Sequence, residues 1–312
     1  MLFPDSPTDL IDSQTRTWPL YADNLLSLSQ ASATSTVFTL PVSDWSVTAV
    51  TLSYRKASIS ADLTKIAAGL RPCFLCRSAR PSAQLPIPWH DYEILVNPYP
   101  LGPLHLTIPS LSHRPQLLSR SSVTDMLRLA ALLPSQAVFY NGPRCGASAP
   151  DHFHFQAIGR TLATNLLSTP LMPVDGFPAI SISGADAPYA FLAIDSDSPD
   201  LTTELFFDLL GLLPRSDDDP EPPLNLFALS LPDSPTPRLY VIPRRRHRPT
   251  FYGDAPGQLL VSPASLEMAG LFVTPSADHT SRLTPSIIND IYSQVAFNHS
   301  EILSLCLSQL SR

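Results

Sequence analysis

The sequence predicts an α+β protein built around antiparallel strands, on three observations. Residues 152–157 alternate polar and apolar side chains, the period of a β-strand. Two apolar segments, residues 92–97 and 105–108, are joined by Pro98-Tyr99-Pro100-Leu101-Gly102-Pro103, which forces a turn. Helical spacing recurs between strand candidates, over residues 122–133 and again over 200–213. The 34 prolines are spread through the chain, a distribution that suits strands and loops better than long helices.

The elements follow in order. A helix near residues 10–26, interrupted by Pro19, forms an N-terminal arm. Residues 37–40 and 45–52 read as strands, and a short helix near 60–70 leads to Arg71-Pro72-Cys73-Phe74-Leu75-Cys76. After the hairpin, Val123, Met126, Leu127, Ala130 and Leu133 form a stripe that packs as core. Residues 137–140 then return as a strand into a loop of small residues. A second half is expected to begin near Pro188, with a strand over 189–194, the helix over 200–213 and strands over 224–229 and 238–244. The acidic, proline-rich stretch 216–223 reads as a solvated linker. The resulting division is residues 1–187, carrying the arm and the histidine strand, and residues 188–312, ending in a C-terminal helix.

At 312 residues the chain is long enough for two domains or two fused halves. A net charge of −7 argues against a general nucleic-acid surface, although a locally basic pocket can still hold an anion. Four scattered cysteines do not make a disulfide framework, and no signal pattern or apolar run of membrane-spanning length occurs. The expectation is a soluble cytoplasmic protein that engages neither membrane nor nucleic acid.

The chemistry concentrates in His152-Phe153-His154-Phe155-Gln156. On a strand, His152, His154 and Gln156 share one face. A neutral imidazole can attack phosphorus, giving a phosphoramidate that a second acceptor discharges, while Gln156 can only hydrogen-bond. Gly142, Gly146, Ala147 and Ser148 upstream leave backbone N–H groups open to an anion. Taken alone, the histidine pair favours two water-facing strand residues. Cys73 and Cys76 are spaced to share a metal ion, with His90, His105, His113 and His152 as candidate nitrogen ligands; two reduced buried thiols without metal are the alternative.

The His152–Gln156 motif resembles the H-x-H-x-Q signature of the nucleotidyltransferase branch of the histidine-triad superfamily, which includes galactose-1-phosphate uridylyltransferase, diadenosine tetraphosphate phosphorylase and plant GDP-L-galactose phosphorylase. Val241-Ile242-Pro243-Arg244 and the Ala269-Gly270 step extend the resemblance to the second half. The chain also resembles an uncharacterised bacterial family in Arg-Pro-Cys-Phe-Leu-Cys, Gly-Ala-Ser-Ala-Pro-Asp-His and Pro-Arg-Arg-Arg-His-Arg-Pro.

The resemblance implies a histidine-triad-like antiparallel sheet with flanking helices in two related halves, and a nucleotidyltransferase or phosphorylase acting on a nucleoside-diphosphate sugar or dinucleoside polyphosphate. It makes His154 the nucleophile and Gln156 its companion, with Asn97, Asn141 and Ser148 around the nucleotide. It also selects Cys73, Cys76, His113 and His152 as ligands of a structural Zn2+, and implies a homodimer. Arg160, on the His154 face if the strand runs that far, and Arg244, in the cluster Arg244-Arg245-Arg246-His247-Arg248, are candidate phosphate ligands because guanidinium groups bind phosphate in a bidentate way. The alternatives are a hydrolase using the same histidine and a non-catalytic nucleotide-binding protein.

Overall fold

The computed structural model describes residues 6–41, 44–56 and 72–310. The helix expected near 60–70 lies outside the described residues. Pro19 divides the N-terminal arm into α1 (Pro7–Thr17) and α2 (Pro19–Ala33), because proline cannot donate within a helix but suits a first turn. Next, β1 (Thr36–Thr39) and β2 (Ser46–Thr51) pair antiparallel.

Five strands and one helix then form a unit: β3 (Ile87–Trp89), β4 (Tyr92–Val96), β5 (Leu106–Pro109), α3 (Arg120–Leu132), β6 (Gln136–Asn141) and β7 (His154–Gly159). A short helix, α4 (Thr164–Ser168), leads to a second set: β8 (Leu171–Val174), β9 (Phe177–Ser183), β10 (Leu192–Ile194), α5 (Pro199–Leu210), β11 (Leu224–Leu229) and β12 (Arg238–Pro243). The chain closes with α6 (Ser265–Met268), β13 (Leu271–Thr274), α7 (Ala277–Ser281), α8 (Pro285–Val295) and α9 (His299–Leu310).

The ten strands β3 to β12 make one antiparallel sheet in the order β3-β4-β5-β7-β6-β11-β12-β10-β9-β8. Read outward from the centre, each half has the same order, so the sheet consists of two topologically equivalent units joined where β6 pairs with β11. The fold is therefore α+β with two related halves. The second unit starts at β8, ahead of residue 188, because the hairpin β8–β9, unread in the sequence, supplies its outer strands. β12 is the counterpart of β7 by strand order and carries no histidine.

Side-chain alternation sends residues to opposite faces of this sheet. Phe153, Phe155, Val138, Leu226 and Val241 pack with the α3 stripe and with Phe206 and Leu209 of α5. Phe139, Ile158, Phe227 and Ile242 pack on the other face with Val47, Phe272, Ile291 and Tyr292. That second layer rests on a small sheet in which β13 joins β2 in parallel. Gly270 makes the junction possible: its φ is +108°, and a Cβ there would lie 2.6 Å from the Ser46 carbonyl oxygen.

The stretch 216–223 departs from expectation. Residues 214–218 are exposed, but Glu221 turns inward and is 7% exposed. Tyr140 and the Leu118 N–H bond its carboxyl group, compensating the cost of burying it.

Candidate active site and metal centre

The sulfur atoms of Cys73 and Cys76 and the ring nitrogens of His113 and His152 all lie within 4.8 Å of one another. Cys73 Sγ is 3.2 Å from His152 Nδ1, and Cys76 Sγ is 3.2 Å from His113 Nδ1 and 3.5 Å from His152 Nδ1. Zinc–sulfur bonds of about 2.3 Å and zinc–nitrogen bonds of about 2.0 Å in a tetrahedron would set sulfur and nitrogen roughly 3.5 Å apart, so the donor set fits a zinc-sized ion. Both imidazoles turn Nδ1 inward and have their outer nitrogen near an oxygen: His152 Nε2 is 2.9 Å from the Ser110 carbonyl, and His113 Nε2 is 3.9 Å from Asp151 Oδ2. His90 and His105 lie outside the cluster. β7 begins at His154 rather than at 152, so His152 belongs to the preceding turn, from which its ring reaches the cysteines.

His154 is 3% exposed, and its Nδ1 lies 2.8 Å from the carbonyl oxygen of His152. A carbonyl only accepts, so Nδ1 carries the proton and Nε2 keeps its lone pair. Burial pulls the imidazole pKa down to about 4, which leaves the ring neutral near pH 7.

The backbone of His154 is held by a residue that sequence reasoning missed. β6 and β7 pair only as far as Phe139 and Gln156, and beyond that point the fully buried Gln116 bridges the strands. Its Nε2 donates to the carbonyls of Asn141 and His154, both at 3.0 Å, and its Oε1 accepts the His154 N–H at 2.8 Å. Nothing in local sequence marks a lone glutamine in a loop for this task.

His105 does for Gln156 what His152 does for His154. The Leu101 N–H donates to His105 Nδ1 at 3.0 Å, so Nε2 carries the proton and donates to Gln156 Oε1 at 2.9 Å. Gln156 therefore keeps its amide N–H groups as donors toward the face it shares with His154. Burial holds His105 neutral, with its pKa down to about 3. The charge of Arg55, in a short turn after β2, bears on His105 and on buried Glu267, and its Nη1 lies 3.5 Å from the Tyr99 carbonyl.

Asn97 borders this group, 3.4 Å from His105 Nε2, with its Oδ1 accepting the Tyr99 N–H. Asn141 Oδ1 accepts from Ser265 N, Ser265 Oγ and Asn225 Nδ2, which ties the end of β6 to the second unit. Ser148 lies in the loop between β6 and β7, which packs tightly: Gly146 has φ +101°, and a Cβ there would fall 2.3 Å from that of Ala264.

The two arginines depart from expectation. β7 ends at Gly159, and Arg160 begins a 3-10 turn at the end of the strand remote from His154, bonded to the Pro134 carbonyl at 3.2 Å. Strand parity does not carry past that end. Arg244 is 1% exposed and donates to Asn225 Oδ1 and to the carbonyls of Val295, Arg246, His247 and Pro263. Its guanidinium braces the second unit from within and is not open to a phosphate.

Two joined antiparallel units with one histidine strand and an adjacent Cys2His2 cluster define the architecture among the described residues. Residues 10–159 match the family described as Domain of unknown function (DUF4922). The structure is similar to that of yeast Ap4A phosphorylase Apa2, with a TM-score of 0.58 at 15% identity over 90% of this chain and 96% of that one. The same enzyme in complex with Ap4A gives a TM-score of 0.59 at 14% identity over 89% and 97%. An ADP-glucose phosphorylase from Arabidopsis thaliana matches with a TM-score of 0.36 at 14% identity over 80% and 99%. At these identities the likeness is one of fold. No curated protein matches the chain in sequence. Among the described residues no helix is long and apolar enough to cross a membrane.

Proposed function

We propose that this protein is a nucleotide phosphorylase or nucleotidyltransferase working through a covalent nucleotidyl-histidine at His154. The observation that carries the reading is the tautomer: the His152 carbonyl accepts a hydrogen bond from Nδ1–H, which leaves Nε2 as an unprotonated nucleophile on the strand that carries Gln156. Nε2 attacks the α-phosphorus of a dinucleoside polyphosphate or nucleoside-diphosphate sugar. The N–P bond forms as the bridging P–O bond breaks, and that electron pair leaves on the polyphosphate or sugar phosphate. Orthophosphate or another phosphate oxygen then attacks the same phosphorus and returns the pair to Nε2.

Charge on the equatorial oxygens grows in each step, and the Gln156 amide supplies neutral donors held in place by His105. The 142–149 loop, in which the N–H groups of Gly142, Cys145 and Ala147 are bonded to main-chain carbonyls, and the side chains of Asn97, Asn141 and Ser148 would line the nucleotide phosphates, with Arg55 as the nearby cation. Cys73, Cys76, His113 and His152 would hold a structural zinc ion, whose contribution is to fix the turn that enters the catalytic strand. The relation in fold to an enzyme named for Ap4A phosphorolysis supports a dinucleoside polyphosphate as the first donor to try.

The test is intact-protein mass spectrometry after incubation with Ap4A, UDP-sugars and GDP-sugars in the absence of phosphate. An acid-labile adduct of nucleotidyl mass, absent in His154→Ala, is expected. A panel that leaves the wild-type mass unchanged would overturn the reading and favour a binding protein.

A further inference from the structure

We propose that Glu221, delivered by the loop before β11, is a positioning residue for His154, and that the proton it holds sets the direction of the Tyr140 hydroxyl and so the hold on Gln116. The inference rests on the reading of His154 as nucleophile.

The contacts form a continuous path. Glu221 Oε2 accepts the Leu118 N–H at 3.0 Å, and its Oε1 lies 2.6 Å from the Tyr140 hydroxyl. That hydroxyl also lies 3.0 Å from the carbonyl oxygen of Gln116. Gln116 in turn holds the N–H and C=O of His154 through its side chain. Tyr140 and Gln116 are fully buried and Glu221 nearly so, so water does not substitute readily along this path.

Tyr140 has one proton and faces two acceptors. When Glu221 is ionised, the tyrosine donates to it, and Gln116 O loses that donor. When Glu221 is protonated, its O–H donates to Tyr140 Oη and the tyrosine proton turns to Gln116 O, completing a chain that ends on the loop carrying Gln116. The protonated state therefore grips His154 more tightly.

Both states are accessible near neutrality, because burial raises the Glu221 carboxyl to about 7 against the opposing pull of its two hydrogen bonds. The surrounding groups do not override this. Tyr140 comes from β6, and Cys145, a thiol pushed up to about 12 by burial, comes from the following loop. Arg114 bears on Tyr140 from the segment before α3, and Asp219 on Glu221's own loop pairs with Arg144 at 2.8 Å. On the same loop Arg215 donates to the Pro220 carbonyl at 3.4 Å, one residue before Glu221.

Glu221→Gln tests the idea, since its amide permanently donates to Tyr140 while its oxygen accepts from Leu118. In 15N-labelled wild-type protein, the Gln116 side-chain amide and the His154 backbone amide should titrate together between about pH 5 and 9. Glu221→Gln should hold both signals at their low-pH positions. Wild-type signals that do not move, or that titrate equally in the variant, would overturn the proposal. The kinetic arm follows nucleotidylation of His154 in single turnover: the wild-type rate should fall as pH rises through 7, Glu221→Gln should flatten that profile, and Glu221→Ala should lose about tenfold in rate with donor affinity unchanged. If donor affinity falls with the rate in Glu221→Ala, the residue shapes the binding pocket and the positioning role is wrong. If no donor labels His154 at any pH, the catalytic reading fails, and the resonance titration still decides whether Glu221 governs Gln116.

Discussion

Replacing Gln116 by leucine keeps most of the side-chain volume and removes the carboxamide that closes the gap between β6 and β7. Three main-chain groups lose their partner: the N–H and C=O of His154 and the C=O of Asn141. Each buried group left unpaired costs about 1–3 kcal/mol, and hydration of the gap recovers part of it, so a loss of about 3–4 kcal/mol is expected. That is a large share of the roughly 5–15 kcal/mol that stabilises a typical domain, yet small enough to leave the protein folded. Gln14 provides the control. It is equally buried and bonded, to the Ala83 carbonyl at 3.0 Å and the Leu85 N–H at 2.9 Å, but it sits under the N-terminal arm. Urea unfolding should show both Gln116→Leu and Gln14→Leu destabilised, whereas nucleotidylation of His154 should fall at least about tenfold only in the former. A Gln116→Leu protein that loses under about 1 kcal/mol, or reacts as fast as Gln14→Leu, would refute the bridging role.

Three further outcomes follow from the geometry. Metal analysis should find one zinc per chain, lost together with thermal stability in Cys76→Ser; a metal-free wild type of unchanged stability after chelation would contradict the assignment. Arg244→Ala should destabilise by about 2–4 kcal/mol because it orphans Asn225 Oδ1 and several buried carbonyls, whereas Arg160→Ala should leave both stability and donor binding nearly unchanged by calorimetry. Burial holds His105 and His247 at about 3 against an ordinary 6.5, so as acid is added the unfolded chain takes up protons first. Their contribution to stability is complete above about pH 6.5 and is lost progressively toward pH 3; the slope in denaturant titrations should be shallower in His247→Leu.

Much of the site was legible because it is written in short range. Cys73 and Cys76 are three residues apart, His154 and Gln156 alternate on one strand, and the Pro-rich turn at 98–103 announces a hairpin. The stripe on α3 packs as core where the 3.6-residue period puts it. What was missed comes from distant chain. His105 was a candidate metal ligand by type alone, and only the register of β5 against β7, pairing Thr107 with Gln156, brings the imidazole from the start of that strand to the Gln156 amide. The linker around Glu221 looked solvated because its composition is acidic, and composition does not show that one carboxyl turns inward toward a tyrosine 81 residues away.

The sequence by itself determined the α+β class and the pairing of a C-x-x-C motif with a histidine strand. Those properties depend on side-chain type and on periods of two to four residues, which are present before the chain folds. Tertiary structure alone decided that β6 and β11 fuse two equivalent units, that Arg244 braces the interior, that Gln116 bonds the main chain of His154, and that Glu221 bonds Tyr140. Each of those outcomes is the satisfaction of a buried polar group, and its partner is chosen by which segments the close-packed sheet brings within 3 Å.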